Sequence, residues 1–138
     1  MSVVIDASLT LAWYFEDEAT PATDAVLDHV AEVGAIAPTV WRLEIANVFL
    51  HAVRRGRVTP AFRNNALAAL SSLSIQVDSE GDHRVWTPTL ELAERFGLTI
   101  YDASYLELAQ RHGLPLATLD SDLQRAARTS GIALMGQE

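Results

Sequence analysis

The sequence predicts a single α/β domain over residues 1–138, built on a parallel sheet covered by helices on both faces. Three observations carry this expectation. Five short, mostly apolar runs are too brief for helices and apolar enough for buried strands. The segments between them carry helical periodicity or helix caps, and strands alternating with helices favour a parallel arrangement. The length of 138 residues leaves room for one core and not two.

Val3-Val4-Ile5 opens the chain as a buried strand, and residues 8–15 follow as a helix. Residues 21–33 form a second helix, with Ala22, Val26, Val30 and Val33 on one stripe and Asp24, Asp28 and Glu32 facing water on another. Gly34 stops it, and Ala35-Ile36-Ala37 before Pro38 is the second strand. Residues 40–54 make a strongly apolar helix ended by Arg54-Arg55-Gly56. Thr59-Pro60 is an N-cap followed by a first-turn proline, starting a helix to about Leu70. Ile75-Gln76-Val77 reads as the third strand. Thr87-Pro88 repeats the cap signal for a helix closed by Gly97, and Asp102 opens another that closes at Gly113, with Pro115 beyond. Leu116 to Leu119 is the fourth strand, 122–129 a helix, and Ile132 to Met135 the last strand. No repeat, low-complexity tract or linker divides the chain.

Composition narrows the function. The chain is 49% apolar and 20% charged, a globular balance. No apolar run reaches the roughly 18–20 residues of a membrane span, so a soluble protein is expected. The first residues lack a basic region and Asp6 interrupts their apolar stretch, so no signal peptide is expected. Cysteine is absent, which removes disulfides, thiol nucleophiles and zinc–thiolate sites and fits a reducing cytoplasm. All ten basic residues are arginine. A phosphate-binding loop with its lysine, Schiff-base chemistry and lysine-paired serine hydrolysis are therefore excluded. A receiver-like signalling domain, expected to carry a lysine at its phosphorylation site, is disfavoured for the same reason. The net charge of −8 argues against non-specific coating of nucleic acid or anionic membrane. It leaves open a nucleic-acid enzyme whose acids are gathered at a metal site.

Two acidic residues stand at strand carboxyl ends, where ligands bind in parallel α/β sheets: Asp6 after the first strand and Asp120 after the fourth. Each also suits an N-cap for the helix that follows, as does Asp102 at the start of its own. Asp122 reads as a first-turn residue favoured by the helix dipole. Glu44 is different, because it lies inside the helix over 40–54 and caps nothing. Its neighbours at three and four residues are Val40, Trp41, Asn47 and Val48, a largely apolar stripe. A buried carboxylate needs a partner, a metal or a raised pKa. Arg42 points elsewhere on the helix, so the choice lies between a long-range arginine pair and metal or catalytic duty. Three loop-end aspartates and one buried glutamate suit a hard divalent cation such as Mg2+, which takes oxygen ligands and keeps several waters. Two such cations can activate water and stabilise the leaving oxygen of an in-line phosphodiester displacement.

The strings carrying these acids resemble, in this order, the PIN domain, and most closely the VapC toxins of toxin–antitoxin pairs. They are Val-Ile-Asp-Ala-Ser at 4–8, Glu44 with Asn47 on the third helix, Leu-Thr-Ile-Tyr-Asp-Ala-Ser-Tyr-Leu-Glu-Leu-Ala at 98–109, and Pro-Leu-Ala-Thr-Leu-Asp-Ser-Asp-Leu at 115–123. The resemblance covers nearly the whole chain. It implies a PIN-like three-layer α/β/α fold with a central parallel sheet of about five strands in the order 3-2-1-4-5. It places the family's four acidic positions, catalytic and metal-holding, on Asp6, Glu44, Asp102 and Asp120, with Ser8 and Thr118 supporting them and Asn47 and Asp122 alongside. It also implies Mg2+- or Mn2+-dependent endoribonuclease activity, a homodimer, and neutralisation by a cognate VapB-type antitoxin.

RNA binding needs positive charge. The basic cluster is Arg54-Arg55-Gly56-Arg57, which serves either phosphate contact or the dipole at the end of its helix. Trp13, Tyr14 and Phe15 read as core packing or as a dimer or antitoxin surface more readily than as a base-stacking platform. With the apolar helix from Thr59 to Leu70 they are the expected source of dimer contacts. An aspartate-based phosphatase of an α/β fold is the rival enzyme, although Asp6-Ala7-Ser8 lacks the second acid such a site usually has. A non-catalytic PIN-like interaction module is the other rival, and loss of one acid would favour it. No zinc-protease or serine-hydrolase motif occurs, and histidines 29, 51, 83 and 112 have no ligand spacing.

Overall fold

The computed structural model describes residues 1–137. Among them run strand β1 (Val4–Ile5), helices α1 (Ala7–Ala12) and α2 (Pro21–Val33), β2 (Ala35–Pro38), α3 (Val40–Arg54), α4 (Pro60–Ser72) and β3 (Ile75–Asp78). A 3-10 turn (Glu80–Arg84) and a π-helical turn (Val85–Thr89) lead into α5 (Leu90–Phe96), followed by α6 (Ile100–His112), β4 (Leu116–Ala117), α7 (Ser121–Thr129) and β5 (Leu134–Met135). The five strands form one sheet in the order β3-β2-β1-β4-β5, and every neighbouring pair is parallel.

Burial shows why the strands read as unbroken apolar runs. Val4 and Ile5 point to opposite faces of the sheet, yet both are completely buried, as are Leu116 and Ala117 beside them. Both faces of the centre are therefore covered, and the fold is a three-layer α/β/α sandwich. Helix α6 packs across β2, β1 and β4 with α7 beside it, while α1 packs on α3 and α3 on α4. The edge strands β3 and β5 are only partly buried. Gly34 joins α2 to β2 with φ +84°, and a Cβ there would stand 2.8 Å from the Ser74 carbonyl oxygen, so the junction requires glycine.

Several expected boundaries move for local reasons. Helix α1 spans Ala7–Ala12 and not 8–15: the Trp13 N–H turns back to the Thr10 carbonyl, and its indole N–H donates to the Thr23 carbonyl at 2.9 Å. The expected cap at Thr87-Pro88 is absent. Pro88 has no N–H to donate and sits inside the wider π-helical turn, with the regular helix starting at Leu90. Helix α6 begins two residues before Asp102, capped by Thr99, whose hydroxyl accepts from the Asp102 N–H. The expected strands shorten to Leu116–Ala117 and Leu134–Met135.

The aromatic run turns inward. Phe15 is buried and stacks on Phe49 with centroids 5.7 Å apart, while Trp13 and Tyr14 pack half-buried against the core. The large exposed apolar side chains are elsewhere: Leu43, Tyr101, Trp86 and Leu90 stand out, and Leu43 and Tyr101 line a mostly apolar cavity of about 270 Å³.

Candidate active site

Strand β1 delivers Asp6 to the carboxyl edge of the sheet. Its carboxylate caps α1, with Oδ1 accepting from the Leu9 N–H at 2.9 Å. The cap and the functional reading thus describe one residue. The Ser8 hydroxyl donates to both carboxylate oxygens at 2.8 and 2.9 Å, and the Thr118 hydroxyl donates to Oδ2. These two hydroxyls are themselves aimed from behind: the Leu119 N–H donates to Ser8 Oγ and the Asp120 N–H to Thr118 Oγ1, each at 3.0 Å. The turn after β4 therefore holds the acid after β1. Asp6 is only 4% exposed. Burial pushes its pKa up to about 6, against the hydrogen bonds from Thr118, Leu9 and Ser8, and the Asp102 charge adds to the rise.

Glu44 projects from α3 and is half-buried. No arginine meets it: Tyr105 of α6 donates its hydroxyl to Oε1 at 2.6 Å. Burial raises the Glu44 pKa, the Tyr105 bond opposes the rise and the charge of Asp102 adds to it. A second link steadies the same helix, since the Trp41 indole N–H donates to the Thr10 hydroxyl at 3.0 Å, and that hydroxyl donates to the Asp6 carbonyl at 2.7 Å. The α3 frame is thereby tied to the residue that ends β1.

Asp102 is the common neighbour. It lies in the first turn of α6, and its pKa is raised by burial and by the charges of Asp120 and Asp122, with Thr99 pulling the other way. Its own charge raises both Asp6 and Glu44. Asp120 stands at the N-cap position of α7 but makes no side-chain cap bond. Asp6, Glu44, Asp102 and Asp120 thus gather at one end of the sheet. Among the described residues every arginine ion pair goes elsewhere, to Asp17, Glu18, Asp78, Glu107 or Asp122. Among the described residues, no three acidic or histidine side chains close on one point as a complete protein cage would. The donor set is a group of hard carboxylate oxygens with no protein cation among them. It fits Mg2+ or Mn2+, which bind through one or two carboxylates and keep water in the remaining positions.

The other expected site residues are less tightly engaged. Asp122 is exposed and pairs with Arg125 at 2.6 Å, so it acts on Asp102 only through its charge. Asn47 is exposed and its side chain makes no hydrogen bond among the described residues. Arg57 is held by Asp17 at 2.8 Å and lies over the Phe15 ring, 4.2 Å from its centroid. Arg54 and Arg55 are exposed and form no ion pair among the described residues. They end α3, roughly 15 Å along the helix from Glu44 at 1.5 Å per residue.

Sequence reasoning passed over Tyr105, although its spacing of three residues from Asp102 puts both on one helix face. It also passed over a second polar cluster. Glu107, 3% exposed, accepts from Arg84 at 2.8 Å and from Arg111, which also binds Asp78 at 2.6 Å. Burial alone would raise the Asp78 pKa, but Arg111, the Gly81 N–H and His112 together hold it below its ordinary value. The Glu107–Arg111 spacing of four was the visible signal.

A family model described as the PIN domain matches residues 3–129. The chain belongs to the PIN domain family. Among similar proteins is Ribonuclease VapC3 of Pyrobaculum aerophilum, 28% identical over 123 residues that cover 89% of this PIN domain and 92% of the relative. The crystal structure of PAE2754 from Pyrobaculum aerophilum matches with a TM-score of 0.70 at 27% identity, covering 97% of this chain and 89% of that one. VapC20 of Mycobacterium tuberculosis, described as a sarcin-ricin loop cleaving toxin, matches with a TM-score of 0.66 at 17% identity. Coverage there is 91% of this PIN domain and 95% of VapC20, and the likeness is one of fold.

Proposed function

We propose that this PIN domain is a Mg2+- or Mn2+-dependent endoribonuclease of the VapC type, the toxin of a pair whose VapB-type antitoxin holds it in check. The observation that carries the reading is the gathering of Asp6, Glu44, Asp102 and Asp120, with Asp102 raising the pKa of two partners and no arginine neutralising the group. The similarity to a protein named a ribonuclease supports the choice of RNA. Asp6, Glu44, Asp102 and Asp120 are the groups that would hold the cation. When bound, it neutralises their mutual repulsion and supplies Lewis-acid stabilisation to a phosphodiester under attack.

The chain's own residues prepare that chemistry. Ser8, Thr118 and the Leu9 N–H lock the Asp6 carboxylate in one orientation, so it presents a fixed edge to whatever binds. The same bonds occupy both its oxygens and blunt it as a nucleophile, which counts against an aspartyl-phosphate mechanism. Arg54 and Arg55, exposed at the end of α3, supply positive charge for RNA phosphates; Arg57, committed to Asp17, contributes less. We place the protein in the cytoplasm, where RNA and the antitoxin are; no described helix is long and apolar enough to cross a membrane.

The test uses metal-stripped protein and a structured RNA. Cleavage should need added Mg2+ or Mn2+, stop in excess chelator, and fall about 100-fold or more in Asp102→Asn. Cleavage that persists in chelator, or an Asp102→Asn variant as fast as the parent, would overturn the reading.

A further inference from the structure

We infer that Tyr105 is a positioning residue of the acidic site, holding Glu44 of α3 in the conformation in which it binds a divalent cation beside Asp102 of α6. The inference rests on the metal-site reading above. Glu44 is the one acid of the four that lies in mid-helix, at the end of a side chain with three rotatable bonds. Asp6 is fixed by three donors and Asp102 is confined to the first turn of α6. Glu44 accepts one hydrogen bond among the described residues, from Tyr105 at Oε1, 2.6 Å away. Nothing else described restrains its carboxylate, and Oε2 accepts no bond from the described residues.

Tyr105 is built for the task. Its ring is fully buried in the core, so its hydroxyl has little freedom to move. Side chains on a helix lean toward its N-terminus, so Tyr105 lies over the turn that carries Asp102, three residues before it. The hydroxyl feels the charges of Glu44, Asp6 and Asp102 together, which puts it in the midst of the acids. A phenol has one proton to give, and here it goes to Oε1, leaving Oε2 without a donor among the described residues. Holding a glutamate in one rotamer costs side-chain freedom, and the Tyr105 bond meets part of that cost before the cation arrives. It also bridges α3 and α6, so the spacing between Glu44 and Asp102 follows from a bond between their helices.

The test reads Mn2+ affinity directly, by isothermal titration or by electron paramagnetic resonance of free Mn2+, with the metal-free melting temperature measured alongside. Tyr105→Phe keeps the buried ring and removes the donor. It should bind Mn2+ about 10-fold more weakly than the parent, the usual range for losing a group that orients a metal ligand. In a Glu44→Ala background the same substitution should change affinity by less than about 2-fold, because no carboxylate remains to be held. Glu44→Asp, which leaves Tyr105 intact and shortens the arm, should weaken binding comparably and covers the case of a Tyr105 variant that does not fold. A Tyr105→Phe protein that melts lower yet binds Mn2+ like the parent would show a purely structural role and overturn the inference. Equal weakening in the Glu44→Ala background would also overturn it, by showing that Tyr105 does not act through Glu44. A parent protein that binds no Mn2+ removes the metal-site reading itself and the inference with it.

Discussion

At the scale of single residues, the site is a set of carboxylates kept close against their own repulsion. Asp6 illustrates the cost. Its folded pKa, raised to about 6 from an ordinary 3.8, means the native state binds a proton more tightly than the unfolded chain does. Ionised Asp6 is therefore a destabilising group above pH 6, by at most about 3 kcal/mol, and that penalty is relieved as pH falls from 7 toward 4. Metal-free protein should melt at a higher temperature at pH 5 than at pH 7.5 in scanning calorimetry, and Asp6→Asn should flatten the difference. A parent whose stability only declines over that interval would contradict the assignment. The residue most informative about chemistry, Glu44, is one whose partner could not be read locally. Its spacing excluded Arg42, but the hydroxyl it needed lies 61 residues away.

At the scale of elements, two junctions position the site. The turn after β4 reaches β1 through Ser8 and Thr118, and Trp41 with Thr10 anchors α3 to the end of β1. A third junction, away from the acids, ties β3 and the 3-10 turn to α6 through Asp78, Arg84, Glu107 and Arg111. Arg111 serves two buried carboxylates, so truncating it takes the arginine from Asp78 and leaves Glu107 with Arg84 alone. Arg111→Ala should cost about 3–5 kcal/mol in urea unfolding, far more than an exposed ion pair contributes. Arg125→Ala, which breaks only the exposed pair with Asp122, should cost under about 1 kcal/mol and serves as the control. Strand and helix identities were legible because each element writes its own period and caps within a few residues. The π-helical turn at Val85–Thr89 was not, because Thr-Pro signals a helix start equally well when the proline falls inside a widened turn.

At the scale of the whole molecule, charge and apolar surface set the behaviour. The unfolded chain disperses four acids that the folded one gathers, so Mg2+ or Mn2+ at 100 times its dissociation constant should add about 2.7 kcal/mol and raise the melting temperature. The same rise in an Asp6→Asn/Asp102→Asn double variant would put the binding elsewhere. The exposed Leu43, Trp86, Leu90 and Tyr101 replace the inward-turned aromatic run as the expected dimer surface. Light scattering at tens of micromolar should give twice the chain mass, and Trp86→Asp should shift it toward the monomer. A bound antitoxin is expected to set an arginine among the four carboxylates, where a guanidinium can bridge two of them. Raising Mg2+ should then weaken inhibition of RNA cleavage, and added salt should slow association with the acidic protein. An inhibition constant indifferent to Mg2+ would move the block to the RNA-binding surface.

The sequence by itself determined the order of the strands and the main helices, the apolar character of β1 and β4, and the placing of Asp6 directly after β1; Asp120 stands three residues beyond β4, at the N-cap position of α7. All of these depend on contacts within a turn or two of the chain. That Asp6 caps a helix and also stands in the acidic group was legible as two readings, and the fold joins them. The sheet order followed from a resemblance and not from spacing, since strands this short carry no local record of their neighbours. Only the tertiary structure decided that Glu44 is served by Tyr105, that Arg111 joins β3 to α6, and that Phe15 points inward while Trp86 points out. The Glu44–Tyr105 and Asp78–Arg111 pairings each span a crossover, and parallel sheets bring together residues that no periodicity relates.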